Sequence, residues 1–420
     1  MSHIIIVCGI VNFNCYKEVE MKKVKWLWCA ALLSGLSISF LGNNAQIKAR
    51  YTPEITSCRA NAEEKGLITH AKSAYLMDFS TQTAMYAHNE TKRLPIASMC
   101  KIMTLLLSFD AIDAGILDMN EEICVSERAA SMGGSQVFLE ANAKYAVKEL
   151  IKSIVVCSAN DSCVALAERI CGSESLFVDK MNEKAREIGA ENTLFANCTG
   201  LPKEPQYSCA KDVAIMLKNL LMHKEYYEFG KVWMDKFMHP QGRYTEITNT
   251  NKLVRFYDGC DGGKTGFTNE AGFCLAATAK RDNMRVISVV IGEENSQTRF
   301  NDVRTMFDYA FASYSAAPVV EEGVKLDVSA EIIGGKSKTV SVYPERSVYT
   351  LNKRGEEGNV KVEVVFDKVK APVNKGQTIG EIVIYNNGVE VDRIHAIAAE
   401  CVAKANFFDR LQEIAEEWNG

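Results

Sequence analysis

The sequence predicts an α+β fold: an antiparallel sheet covered by helices, followed by a small all-β domain and a C-terminal amphipathic helix. Three observations predict it. Residues 73–88 and 262–291 carry strand-like alternation, whereas the stretch between them is mostly helical in period. Past Pro318 the alternation returns, and no helical period appears until Ala403. The last stretch, Asn406 to Trp418, sets Phe407, Leu411, Ile414 and Trp418 on one stripe.

Taken in order, the chain starts with a segment that is not part of the fold. Met21-Lys22-Lys23-Val24-Lys25, followed by the apolar run Trp26 to Leu41, has the charged and apolar regions of an export signal, with cleavage near Ala45. The run is too short for a comfortable membrane span. Residues 1–20 precede a second methionine and read as an upstream extension, so 1–46 is set apart. Export places the mature protein on the extracytoplasmic side of the cell membrane or in the wall.

Ser73 to Phe79 and Thr83 to His88 read as a hairpin that leads into a helix from Ser98. After an irregular region, Gly115 to Ala146, come helices at about Val147 to Val156, Ser162 to Ile170 with Asp161 as cap, Glu174 to Ile188 and Ala210 to Met222. Gly262 to Phe267, Gly272 to Lys280 and Arg285 to Ile291 are antiparallel strands, the last two joined by the turn Asp282-Asn283. Strands at both ends of one segment imply a single sheet built from its two termini, a domain over 54–317 closed by a helix from Arg299 to Tyr314. Residues 318–400 form the β domain, with Asn387-Gly388 as a hairpin turn, and 403–420 the terminal helix.

Composition removes several function classes. A net charge of −5 with no Lys/Arg tract argues against nucleic acid as a partner, and six scattered histidines show no metal spacing, so neither metal nor cofactor is expected. Of fourteen cysteines, Cys8, Cys15 and Cys29 precede the mature chain, leaving eleven, an odd number that argues against a disulfide framework. Cys100, Cys157 and Cys163 fall at apolar helix positions, where cysteine acts as a small hydrophobe.

The chemistry centres on Pro95 to Leu107. Ser98 and Lys101 stand there at i and i+3 on an apolar helix, so the amine lies over the hydroxyl. A serine hydroxyl becomes a nucleophile when a base takes its proton, and burial can make a lysine that base. Bringing an amine from about 10.4 to near 7 takes roughly 4 kcal/mol, within reach of an apolar site. Two further motifs follow, Ser158-x-Asn160 and Lys264-Thr265-Gly266, after about sixty and about a hundred residues, an order that belongs to penicillin-recognising serine enzymes. Ser98 is then acylated, Lys101 or a relay through Ser158 moves the proton, Asn160 holds the substrate amide, and Lys264 adds positive potential. Gly266 lets substrate backbone lie along the strand edge. The developing oxyanion needs two donors, one of them the backbone N–H of Ser98.

Around these motifs lie Ser135-Gln136-Val137-Phe138-Leu139-Glu140, Ser158-Ala159-Asn160-Asp161, Gly200-Leu201, Tyr207-Ser208-x-Ala210-Lys211-Asp212 and Asp261-Gly262-Gly263. With them the chain after residue 46 resembles the D-alanyl-D-alanine carboxypeptidases among the low-molecular-mass penicillin-binding proteins. The resemblance implies a β-lactamase/transpeptidase-like fold, removal of the terminal D-alanine from peptidoglycan pentapeptides, and inhibition by β-lactam antibiotics. It also implies the N–H of Phe267 as second oxyanion donor, Arg299 near the substrate's terminal carboxylate, and attachment of the C-terminal helix to a membrane surface. Arg299 read alone is also a surface cation at a helix start, where the helix dipole gives it nothing. The segment 403–420 carries net charge −2, which anionic lipid would repel, so a helix packed on the β domain is the other reading. The chain departs from the family at Ala159, where Gly is usual, and at Thr199, where His usually precedes Gly-Leu. A class A β-lactamase would carry a deacylating Glu with Asn four residues later, and no Glu between 161 and 263 has one. A non-catalytic wall-binding protein would not need Ser98, Lys101, Ser158 and Lys264 all intact.

Overall fold

A computed structural model describes residues 5–6, 67, 70–356 and 358–411 of the chain. The expected export signal, Cys58, and Ile414 and Trp418 of the terminal stripe lie outside these residues.

The N-terminal hairpin is Ser73–Asp78 (β1) and Ala84–His88 (β2). A 3-10 turn, Ala97–Cys100, precedes the helix Lys101–Asp113 (α1), so Ser98 stands on the turn and not, as expected, inside the helix. The region read as irregular contains a strand pair, Glu122–Cys124 (β3) with Lys144–Ala146 (β4), and the short helix Glu127–Ala130 (α2). Helices follow at Val147–Cys157 (α3), Asn160–Cys171 (α4), Glu174–Glu187 (α5), Ala210–Leu220 (α6) and Tyr226–Gly230 (α7). A second hairpin, Met234–Met238 (β5) and Tyr244–Thr248 (β6), leads through Leu253–Phe256 (α8) to three long strands. These are Cys260–Thr268 (β7), Gly272–Arg281 (β8) and Met284–Glu293 (β9), and Ser296–Ser313 (α9) closes the unit.

The five long strands form one antiparallel sheet in the order β2-β1-β9-β8-β7, so the two ends of the domain meet where Ser73 pairs with Ile291. Helices cover both faces, because the alternation along the strands is apolar on each side. Tyr75, Met77, Ala276, Ile287 and Val289 face a core shared with α1, α3, α4 and α6. Ala74, Leu76, Leu275, Ala277 and Val286 face the opposite core with Phe300, Val303 and Phe307 of α9. Helix α1 is buried on nearly every side, from Lys101 through Phe109, as expected of a central helix apolar all round. Strand β7 is the sheet edge nearest this helix, and it lies against the Ser98 turn.

A buried ion pair ties β7 to β9 across β8. Both Asp261 oxygens accept from Arg285, at 2.7 and 2.8 Å, with each side chain largely buried.

The second unit begins with Tyr314–Val320 (β10), which pairs with Val348–Lys353 (β13). Between them run Ser329–Ile333 (β11) and Thr339–Pro344 (β12). Val360–Phe366 (β14), Val369–Lys370 (β15), Thr378–Asn386 (β16) and Val389–Ala398 (β17) complete a sheet ordered β14-β16-β17-β12-β11-β15, and Ile5–Ile6 pairs along β14. Asn387 (φ 52°) and Gly388 (φ 80°) join β16 to β17 in the left-handed conformation a two-residue hairpin needs. The core is Val and Ile with a few Ala, including Val340, Val342, Ile382, Ile384, Ile394 and Ala396. Residues 407–411 are helical, and Phe407, Phe408 and Leu411 there are exposed. Asn406 and Asp409 cap each other reciprocally at its start. No helix among the described residues is long and apolar enough to cross a membrane.

Removing one partner of the Asp261–Arg285 pair leaves a buried charge. Asp261→Ala is expected to lower unfolding stability by about 3 kcal/mol in urea titration. A loss under about 1 kcal/mol would mean that the Thr278 hydroxyl and the Tyr227 ring satisfy Arg285 unaided.

Candidate active site

Ser98 is half-buried on its 3-10 turn, which begins at Ala97 with φ of 47°, an uncommon conformation for a residue with a side chain. Gly266 of β7 holds this turn from one side. A Cβ on Gly266 would come within 2.6 Å of the Ile96 carbonyl and 3.3 Å of the Ser98 nitrogen. The missing side chain therefore makes room for the protein's own nucleophile turn, a closer constraint than the substrate contact expected from sequence. Gly200 (φ 81°) holds the turn from the other side, where a Cβ would lie 2.0 Å from the Ala97 carbonyl.

Lys101 donates to Ser98 Oγ at 2.9 Å and also to the Thr199 carbonyl. Its amine is fully buried, and burial lowers its pKa below the ordinary lysine value. The titratable groups acting on it are the thiols of Cys163, Cys100, Cys198 and Cys157. Burial pushes the Cys157 and Cys163 thiols up to about 12, so they stay neutral and give the amine no counter-ion. All ten described cysteines are free, Cys100 and Cys163 fully buried and Cys157 half-buried. Thr199, where the family has His, thus contributes a main-chain carbonyl to the lysine.

Ser158 ends α3 in the left-handed conformation (φ 67°), nearly buried, with no hydrogen-bond partner for its hydroxyl among the described residues. Two residues on, Asn160 opens α4. Its side-chain nitrogen donates to the Gly133 carbonyl at 2.7 Å, its backbone N–H to the Ser135 carbonyl at 2.7 Å, and its side-chain oxygen has no partner among the described residues. Asp161 does not cap α4 as expected. Its carboxylate instead accepts from the N–H groups of Val137, Leu139 and Ser162, clipping the 133–139 segment onto the helix start. Burial still raises the Asp161 pKa, with those N–H groups working against it. Gly134 has no room for a Cβ, which would lie 2.8 Å from the Asn160 amide nitrogen. The carbonyls of Gly133 and Ser135 in this segment orient Asn160.

Lys264 is buried on β7 and donates to the Thr265 carbonyl at 3.1 Å. Burial, and then repulsion from Lys101, push its pKa well below the ordinary value. Two residues missed from sequence shape this strand. Tyr226 Oη accepts from the Gly263 N–H at 2.9 Å, and Asn251 donates to the Gly262 carbonyl at 3.1 Å. Both are nonlocal partners of main-chain groups, and no sequence pattern marks them. Phe267 is half-exposed and stacks on Phe273, with ring centroids 4.3 Å apart.

Arg299 is buried, which removes the surface-cation reading. Its guanidinium donates to the Gly266 and Cys274 carbonyls, both at 3.2 Å, from the first turn of α9. Desolvation lowers its pKa to about 10. It therefore braces β7 at Gly266 while adding positive charge behind the strand edge.

The geometry makes Gly200 a sensitive position. Gly200→Ala is expected to slow covalent labelling by fluorescent penicillin at least tenfold and to destabilise the protein by about 2 kcal/mol in thermal unfolding, since the added Cβ displaces the Ser98 turn. Labelling at the normal rate would mean the turn tolerates the shift.

Comparison with known proteins agrees with this constellation. The D-alanyl-D-alanine carboxypeptidase family matches residues 59–295, and the C-terminal domain of penicillin-binding protein 5 matches residues 314–404. The D-alanyl-D-alanine carboxypeptidase DacF of Bacillus subtilis (strain 168) is 41% identical over 84% of this chain and 91% of its own. Penicillin-binding protein 5 from Haemophilus influenzae superposes with a TM-score of 0.64 at 28% identity, covering 80% of this chain and 98% of that one. PBP3 from Streptococcus pneumoniae, described as a peptidoglycan synthesis regulatory factor, gives 0.66 at 26% identity, over 80% and 100%. With its two-faced sheet, its Ser98–Lys101 pair and these matches, the chain belongs to the D-alanyl-D-alanine carboxypeptidase family of serine peptidases.

Proposed function

We propose that this protein removes the terminal D-alanine from peptidoglycan pentapeptides through an acyl-enzyme on Ser98, and that β-lactams acylate the same hydroxyl. The observation that carries this reading is the 2.9 Å contact between Ser98 Oγ and a fully buried Lys101 amine. Neutral Lys101 accepts the Ser98 proton as Oγ attacks the scissile carbonyl. The resulting oxyanion sits between the N–H groups of Ser98 and Phe267. Lys101 returns the proton through the Ser158 hydroxyl to the leaving D-alanine nitrogen, and D-alanine departs. A water then attacks the ester, giving its proton to Lys101, and Ser98 recovers its own as the tetrapeptide leaves. Asn160, its nitrogen committed to Gly133, offers its oxygen to a substrate N–H. Lys264, and Arg299 from behind the strand, supply positive potential toward the terminal carboxylate and Thr265 a hydroxyl donor, which a buried carboxylate needs to offset lost hydration.

In this reading residues 1–46 direct export, 54–317 are the peptidase domain, 318–400 the β domain, and 403–420 attach the enzyme to the outer membrane leaflet. The exposure of Phe407, Phe408 and Leu411 supports the last point. Deleting 403–420 is expected to move the mature protein from the membrane to the soluble fraction. A full-length mature protein already soluble would favour the packed helix.

Ser98→Ala should abolish both penicillin labelling and D-alanine release from pentapeptide. Lys101→Arg should lower acylation by orders of magnitude, because arginine keeps its proton at any usable pH. In the wild type the acylation rate rises with pH as Lys101 loses its proton. Since burial lowers that pKa, the rise falls below the ordinary lysine range, and a pH–rate profile rising only near 10.5 would remove Lys101 as base.

Arg299→Ala should reduce kcat/KM for pentapeptide about thirtyfold, roughly 2 kcal/mol, as expected for one charge-assisted contact. Penicillin acylation should fall less. Equal losses on both would assign Arg299 to bracing Gly266 alone.

A further inference from the structure

His239 is buried at the bend of the β5–β6 hairpin and takes no part in the reaction above. The tight turn Pro240–Gly242, with Gln241 at φ of 63°, sets Arg243 beside it. Arg243 Nη2 lies 2.8 Å from His239 Nδ1, and a guanidinium can only donate, so Nδ1 is the accepting nitrogen and the proton of the neutral ring is on Nε2. The ring therefore has a direction. Nε2–H donates to Thr245 Oγ1 at 2.9 Å, and Thr245 donates to the Val137 carbonyl at 3.3 Å. On the other side Tyr145 Oη stands 3.1 Å from Nδ1 and accepts from the Glu140 N–H at 3.2 Å, which leaves its own proton for the ring. Arg243 also donates to the Phe138 carbonyl and to the Glu140 carboxylate, both at 2.9 Å.

The segment gripped in this way is the one that fixes Asn160. Val137 and Leu139 donate to Asp161, and Gly133 and Ser135 just upstream accept from the Asn160 side chain and backbone. Asp161 holds the segment from the helix side, and the hairpin holds it from the other. The charged and titratable groups around the ring are Arg243 on its own hairpin, Glu140 on the segment and the Tyr145 hydroxyl on β4, with Asp161 of α4 acting on Tyr145 in turn. Lys152 of α3 is taken up by Glu149 and by Asp235 on the hairpin's first strand. Burial, and then Arg243, lower the His239 pKa below the ordinary histidine value, with Glu140 working against them. A second proton on the ring has to go to Nδ1, where it faces the Arg243 guanidinium and the Tyr145 proton, so neither contact survives it.

We propose that His239 is a positioning residue for Asn160: as a neutral imidazole it joins two hydrogen-bond chains that hold residues 137–140, and its protonation releases that segment and with it the carbonyls that orient the Asn160 amide. The proposal rests on the carboxypeptidase reading, in which Asn160 holds the substrate, and assigns to that same site a dependence on acid that is separate from the base. The sign follows from the direction of the shift. Neutral His239 and its contacts are fully present above the ordinary histidine range and are lost as pH falls through the lowered pKa.

The test is a double-mutant cycle on the full-length mature enzyme, with kcat/KM read from D-alanine released from pentapeptide and, in parallel, the rate of labelling by fluorescent penicillin. His239→Phe keeps a ring and removes both nitrogens. His239→Phe and Asn160→Ala should each cost about tenfold, as expected of one hydrogen bond, and the two together still about tenfold. A loss of about a hundredfold in the double variant makes the two residues independent and overturns the proposal. The second readout is pH. The ratio of wild type to Asn160→Ala, in which the titration of Lys101 cancels, should be flat near neutral pH and fall toward one on acidification below the ordinary histidine value. His239→Asn has an amide oxygen for the Arg243 and Tyr145 donors and no charge to gain, so the same ratio taken in its background should not fall. A wild-type ratio that holds as far into acid as the protein stays folded by circular dichroism, or one that falls equally in the His239→Asn background, overturns the role. Should His239→Phe fail to fold, these pH ratios decide alone. Absence of D-alanine release, with the cycle still coupled in penicillin labelling, overturns the carboxypeptidase reading and leaves His239 in its role.

Discussion

An amine kept out of water beside a hydroxyl is the constraint that the rest of the structure serves. Lys101 can act as a base when its charged form is disfavoured, and a lysine on a surface helix would never meet that condition. Helix α1 meets it by being the central helix, packed by α4, α5 and α6 and by the sheet, with its first residue as deeply buried as its leucines. The neighbours that chemistry might have supplied as counter-ions are thiols held neutral by the same burial. What hydrogen bonds remain to the amine, to Ser98 and to the Thr199 carbonyl, satisfy it without demanding that it be charged.

Burial alone does not aim the hydroxyl. The Ser98 turn is pinched between two glycines from distant segments, Gly200 and Gly266, each too close for any side chain. Gly266 can approach because β7 is a sheet edge, and the edge is straightened from behind by Arg299, Tyr226 and Asn251, each bonded to a main-chain group of the strand. On the other side of the cleft Asp161 does comparable service, gathering the 133–139 segment so that its carbonyls fix Asn160. Buried polar side chains in this protein mostly satisfy main-chain groups near the site, and the site's rigidity follows from that.

How much of this was legible in the sequence depends on whether a feature is local. The i, i+3 spacing of Ser98 and Lys101, the turns at Asp282-Asn283 and Asn387-Gly388, and the alternation of β7 to β9 all depend on neighbours within a few residues, and the structure repeats them. The near-continuous apolar run of β9, buried along almost its whole length, is what a strand covered on both faces shows. What was not legible depends on partners far along the chain. Asp161 reads as a cap because Asp is a good cap, and its real partners, Val137 and Leu139, are more than twenty residues away. Arg299, placed near the substrate carboxylate by resemblance, is a surface cation when read alone, because arginine is usually exposed, until the Gly266 and Cys274 carbonyls are brought to it by the sheet. Gly266 was read as leaving space for a substrate, although the space is taken up by the Ile96–Ser98 backbone.

Two buried lysines in one cleft pose an electrostatic question that the proposed reaction answers. Lys101 and Lys264 are both desolvated, and the Lys101 charge adds to the cost of a charge on Lys264. One of the two must carry the positive potential that draws a carboxylate, while the other must be neutral to take a proton. Position decides which. Lys101 lies under Ser98 with a main-chain carbonyl and neutral thiols around it, whereas Lys264 lies on the edge strand, buried with its amine on the Thr265 carbonyl. In the proposed reaction, arrival of the substrate carboxylate would compensate the charge on Lys264 and leave Lys101 as the site's uncompensated amine, so that substrate binding and base activation draw on the same pair of residues.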